Sequence, residues 1–130
     1  MCAQHSSTNG LPDGYNEIGL SQHGKTLFGK VSTAKDMGGC PSIPVPLRKG
    51  QWTHLALTRS PTARILYVDG KPVARADGNF PPVDLDGCPV MVGKHPPTGR
   101  WSFAGTVDDG LVNPRELTPT EITKLAGLGG

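Results

Sequence analysis

Long apolar runs are missing from this chain of 130 residues. A membrane-crossing helix needs about 18 or more consecutive apolar residues, and no such stretch occurs. Charge of one sign is not concentrated either. The 13 basic and 11 acidic side chains leave a net charge of +2, and Arg48 and Lys49 are the only adjacent basic pair. A dedicated nucleic-acid binder carries a basic stripe, so that class is set aside. Unbroken helical sequence is scarce as well. With 18 Gly and 13 Pro, no window runs three helical turns without a breaker, which excludes a helical bundle. Cysteine is limited to Cys2, Cys40 and Cys88. Three thiols are too few for a disulfide scaffold, and the odd number leaves at least one unpaired. Cys40 and Cys88 share a Gly-Cys-Pro context, which suits two strand starts lying near each other. Two buried thiols are the favoured reading and a disulfide the alternative. Zinc-type spacing is absent: there is no C-x-x-C, and the histidines at 5, 23, 54 and 95 are far apart. The polar stretch at 1–10 lacks the apolar segment of a secretory signal. The expectation is a chain made in the cytosol, or else a fragment or a chain whose leader was removed. Cys2 after Met1 would suit the lipidated start of a bacterial lipoprotein, but an incidental cysteine is the simpler reading.

What is present are short apolar runs separated by Gly and Pro, the pattern of an all-β domain rich in turns. Residues 1–14 read as a flexible or partner-binding arm, and 15–130 as a single domain. Strands are expected at 15–20 and 26–31. The Ile43-Pro44-Val45-Pro46 stretch reads as an edge segment or extended connector, because proline cannot donate to a ladder. Residues 51–58 alternate with period two. Both faces carry apolar groups, so this strand is expected to be central, with Trp52 packed in the core and His54 a hydrogen-bonded core histidine. Asp69-Gly70 between two β-prone runs, 64–68 and 71–74, predicts a type I′ hairpin, since both central residues need positive φ. Further strands are expected at 88–93 and 101–107, the latter with Phe103 and Val107 on one face. Thr118-Pro119-Thr120-Glu121 has the form of a capping box. Leu117 and Ile122 fall at the staple positions. Gly127 suits the C′ stop of a helix of about two turns.

Four segments resemble a known family. The Gly50-Gln51-Trp52-Thr53-His54-Leu55-Ala56 run is similar to the "G-x-W-x-H-V-A" strand of laminin-G-like jelly rolls. The Leu66-Tyr67-Val68-Asp69-Gly70 run resembles their "L-Y-V-D-G-x-x-V" hairpin, and Val92-Gly93 their short "I-G" strand. Phe103-Ala104-Gly105-Thr106-Val107-Asp108-Asp109, with Leu117-Thr118 and Glu121-Ile122, resembles the closing "F-x-G-x-I-D-D … L-S-x-x-E-I" element. The resemblance covers 50–127 well and the first 49 residues poorly. It implies an all-β fold: an antiparallel β-sandwich, a jelly roll of the concanavalin A-like lectin/glucanase superfamily, with one short C-terminal helix. Two features depart from the pattern. Asn113 stands where the family has an aromatic, and the strands that usually precede the Trp strand are too few.

Some relatives of this fold are glucanases with paired carboxyls on one strand, as retaining hydrolysis requires. Here Glu17, Glu116 and Glu121 are the only glutamates and no E-x-D-x-E strand exists, so the chain reads as no enzyme. Asp108 and Asp109 are the best metal candidates; adjacent carboxylates offer hard oxygens, and the resemblance implies calcium near this motif in some relatives. The competing role for them is capping a turn or pairing with an arginine. For a ligand the candidates are Trp101, Arg100 and His95, in a loop where indole and guanidinium would meet a sugar face unless Trp101 is a strand-end residue tucked under the loop, and Tyr67 on a concave sheet face, for which packing is the favoured role. Two functions are expected. The first is a non-catalytic recognition module binding a glycan or protein surface through loops or a sheet face. The second is a structural component of a bacteriophage particle, a capsid decoration or tail protein completed by neighbouring chains.

Overall fold

The computed structural model describes residues 15–20, 26–32, 42–44, 47–79 and 103–128. The arm at 1–14, the strand expected at 88–93 and all three cysteines lie outside the described residues. Along the chain come β1 (Tyr15–Leu20), β2 (Thr26–Ser32), β3 (Ser42–Pro44), β4 (Leu55–Arg59), β5 (Ala63–Val68), β6 (Lys71–Asp77) and α1 (Pro119–Leu128). The strands form two antiparallel sheets, in the orders β1-β2-β3 and β4-β5-β6. Among the described residues the regular structure is thus mostly strand, with one short C-terminal helix.

Local chemistry explains the second sheet. Asp69 and Gly70 both have positive φ, 49° and 77°, as a type I′ turn demands. The preceding hairpin closes through Ser60, whose Oγ accepts the N–H groups of Thr62 and Ala63 at 3.3 and 3.0 Å. In the β5–β6 ladder Leu66 pairs with Ala74 but Tyr67 with Pro72, so Val73 is an extra residue and the strand bulges there. Pro72 has no N–H to give, and among the described residues β6 is an edge strand, where that loss is tolerated. β3 carries Pro44 at the edge of the other sheet for the same reason.

The two sheets meet through Leu27 on β2 and Leu66 and Val68 on β5, which form one buried cluster joined by Ile43, Leu55 and Ala74. β1 comes against β4, β2 against β5, and β3 against β6. Removing a leucine side chain from water contributes on the order of 2 kcal/mol, so Leu27 and Leu66 are the main ties between the sheets.

Three expectations are corrected. First, the strand expected over 51–58 starts only at Leu55. The His54 N–H donates to Oδ1 of Asp69 at 2.9 Å, and Asp69 N–H returns to the His54 carbonyl at 2.8 Å. Asp69, opposite His54, already belongs to the turn, and its side-chain carboxylate stands in for a ladder carbonyl, so regular pairing stops at Leu55 opposite Val68. Among the described residues it is β5, not β4, that lies centrally and is covered on both faces. Second, residues 103–117 form neither strand nor helix. A Cβ on Gly105 would sit 2.5 Å from the Phe103 ring, so the aromatic has folded back onto the glycine instead of standing off a pleat. Third, α1 runs through Gly127 to Leu128, so Gly127 is an interior helix residue and not the stop.

The start of α1 follows the sequence. Glu121 N–H donates to Oγ1 of Thr118 at 3.3 Å, while Thr118 N–H donates to Oε2 of Glu121 at 2.8 Å. Ile122 is buried on the face that packs toward β6. Thr123 Oγ1 donates to the Gly70 carbonyl at 3.0 Å, which ties the helix to the hairpin turn.

Candidate functional site

The expected ligand residues divide between two situations. His95, Arg100 and Trp101 lie outside the described residues. Tyr67 is 1% exposed, so the structure corrects its placement on an open sheet face. It sits on β5, whose two faces are both covered, and forms the floor of a shallow groove of about 450 Å³. Ile65, Pro72, Val73 and Ala74 line that groove, Pro119 at the start of α1 closes one end, and Arg75 stands at its rim. The bulge at Val73 turns an extra apolar side chain outward there. The rim guanidinium is held by Asp77, with its Nε 2.8 Å from Oδ1. The groove therefore offers an apolar trough with a neutralised charge pair beside it.

Asp108 and Asp109 are exposed in a segment without regular structure. Asp108 Oδ1 accepts the N–H of Asp109 at 2.8 Å, and Asp109 takes a φ of 53°. Calcium takes six to eight oxygens. Among the described residues no group of three His, Cys, Asp or Glu side chains comes together around a common point. Asn113 acts locally, its Oδ1 accepting the N–H of Arg115 at 3.1 Å across Pro114. That places Arg115 to reach Glu121 in two bonds, of 2.6 and 3.0 Å. The hydrogen bond from Arg115, then those from Thr118, hold the Glu121 carboxyl down at about 2. Arg115 is raised in turn by its bond to Glu121.

On the opposite hairpin, Arg59 and Arg64 face each other across β4 and β5. Arg64 is among the largest fully buried side chains. Burial, and then the charge of Arg64, push the Arg59 guanidinium below its ordinary value. Neither arginine stood out in the sequence, because register is what makes them neighbours.

Trp52, expected in the core, is 66% exposed instead. His54 is half-buried, but its hydrogen bonds are made by its backbone. Its ring Nδ1 is buried and finds no partner among the described residues.

Two antiparallel sheets joined by buried leucines, an Asp-Gly hairpin and a capped closing helix define a β-rich domain. The family model of the concanavalin A-like lectin/glucanases superfamily, laminin G type, matches residues 3–123. The chain belongs to that family. No curated protein matches it. Among solved structures, residues 221–444 of an S-layer domain-containing protein from Clostridium thermocellum are similar in fold, with a TM-score of 0.56 at 19% identity. The likeness covers 88% of this chain and 63% of that one, so the chain spans less than two thirds of the structure it resembles. Among the described residues, no helix is long and apolar enough to cross a membrane.

Proposed function

We propose that this chain is a non-catalytic recognition module that closes as a jelly-roll sandwich and binds a glycan or protein surface. Membership of the lectin/glucanase superfamily over residues 3–123 carries this reading. Fold alone does not fix function, so the side chains must choose between the lectin and the glucanase roles. Glu121 favours the lectin role. A glycosidase acid needs a carboxyl held above its ordinary value so that it keeps a proton. Glu121 is driven the other way, to about 2, with its oxygens engaged by Arg115 and Thr118. It secures a helix start. The test is a glycan array on the intact chain, with polysaccharide hydrolysis measured in parallel. Glycan capture without cleavage is expected. Cleavage that disappears when Glu17, Glu116 and Glu121 are all changed to Gln, in a variant that still folds, would overturn the non-catalytic reading.

A second reading is a structural component of an assembly, of which a bacteriophage decoration or tail protein is one form. Phe103, Val107, Leu111 and Val112 are all exposed along a segment without regular structure, and apolar side chains so placed favour cover by a neighbour. The similar solved structure, from an S-layer domain-containing protein, is compatible with either role. Deleting residues 1–14 and weighing the product by light scattering tests completion by neighbouring chains. An unchanged mass and melting temperature would remove it.

A further inference from the structure

We propose that Trp52 is a stacking platform through which this domain takes a pyranose ring of a glycan. The inference rests on the recognition-module reading above and names its site. Tryptophan gains more from burial than almost any side chain, so an indole left 66% exposed is the most informative exposure in the described residues. The backbone that presents it is fixed on both sides. Before it, Gly50 turns the chain at a φ of 79°, and Gln51 N–H donates to the Arg48 carbonyl at 3.2 Å. After it, His54 is clasped to Asp69 by the reciprocal bonds at 2.9 and 2.8 Å. A side chain displayed from pinned backbone loses little further freedom when a ligand arrives.

The neighbouring chemistry points to a sugar over a protein. Arg48, Lys49 and Gln51 are exposed beside the indole in sequence. They supply donors, and Gln51 an acceptor, of the kind that ring hydroxyls need. A protein-docking core excludes charge and gathers several apolar side chains. This turn does the reverse, with one flat apolar face in a polar, cationic stretch. That combination matches a pyranose, which has an apolar C–H face and a rim of hydroxyls.

The experiment uses the full chain with hexamers of β-1,4-linked glucose and of β-1,4-linked N-acetylglucosamine, measured by titration calorimetry beside a glycan array. At least one hexamer is expected to bind. Trp52→Ala should weaken it about tenfold or more, and Trp52→Tyr should recover most of the loss. The melting temperature of Trp52→Ala should stay at the wild-type value, because the side chain is outside the core. Binding that Trp52→Ala leaves intact overturns this inference alone and leaves the recognition module standing. An array with no captured glycan removes the glycan half of the module reading, leaves only a protein surface as its ligand, and overturns this site. Intact glycan binding with a changed solution mass in Trp52→Ala would make Trp52 a contact between copies of the chain, and would also overturn the proposal.

Discussion

Gly50 and Gly70 have nearly the same positive φ, 79° and 77°, and differ in what surrounds them. That pair isolates the weight carried by the closing helix. An alanine at either position takes on left-handed strain of about 1–2 kcal/mol. Around Gly50 a new Cβ would meet nothing within 4 Å, so the strain is the whole cost. At Gly70 the Cβ would lie 3.0 Å from the Cα of Thr123 and 3.1 Å from the Cβ of Ala126. Helix backbone cannot swing aside as a flexible side chain does, so α1 must give by a few tenths of an ångström. That shift strains the Thr123–Gly70 hydrogen bond, whose full loss would cost about 1 kcal/mol, and loosens the packing of Ile122. Gly70→Ala should therefore cost about 1 kcal/mol more than the roughly 1–2 kcal/mol of Gly50→Ala. For a domain of this size each kcal/mol lowers the melting temperature by about 3–5 °C, so the two variants should differ by several degrees. Urea unfolding of both, with slopes checked for equality, gives the comparison directly. Asparagine tolerates the left-handed region, so Gly70→Asn reduces the strain while keeping the clash, and should remain worse than Gly50→Asn. If Gly70→Ala and Gly50→Ala match within about 0.5 kcal/mol, the resolution of such cycles, the helix does not rest on the turn and the docking described above is wrong.

Other perturbations read the same end of the molecule. Thr118→Ala removes the side-chain acceptor for Glu121 N–H and should cost about 1 kcal/mol in urea unfolding; no loss would dismiss the cap. The pH dependence has a fixed sign. The folded-state carboxyl of Glu121 lies at about 2, below its value of 4.5 in the free residue. Its contribution to stability is thus complete above the upper value and is lost as pH falls toward about 2. Melting temperatures from pH 6 down to pH 2 should fall less steeply for Glu121→Gln than for the parent chain, and parallel curves would contradict the assignment. Thr123→Val keeps the volume but removes a hydroxyl whose one proton is shared between the Gly70 and Pro119 carbonyls, and should weaken the fold by at most about 1 kcal/mol on thermal melting.

Local rules carried the parts of this fold that depend on a few consecutive residues. Asp69-Gly70 was legible because positive φ at two successive positions restricts the residues that can stand there. Thr118 and Glu121 were legible because a capping box closes on itself within four residues. Period-two alternation proved weaker, since it reports an apolar face without saying what covers it. Residues 103–107 alternate as a strand would, yet the Phe103 ring lies over Gly105 and the segment stays irregular. Gln51 to His54 alternate too, but β5 ends at Val68 and the chain turns away at Asp69-Gly70, so no strand is left opposite them to pair with. That turn decides the candidate site. Had the ladder continued through Trp52, alternation would have committed its side chain to a sheet face. Ending at Leu55, it leaves the indole in an irregular stretch between Gly50 and the His54–Asp69 clasp. The end of the ladder is thus set by a turn that begins 17 positions beyond Trp52, at Asp69, which is why reading along the chain placed this side chain in the core.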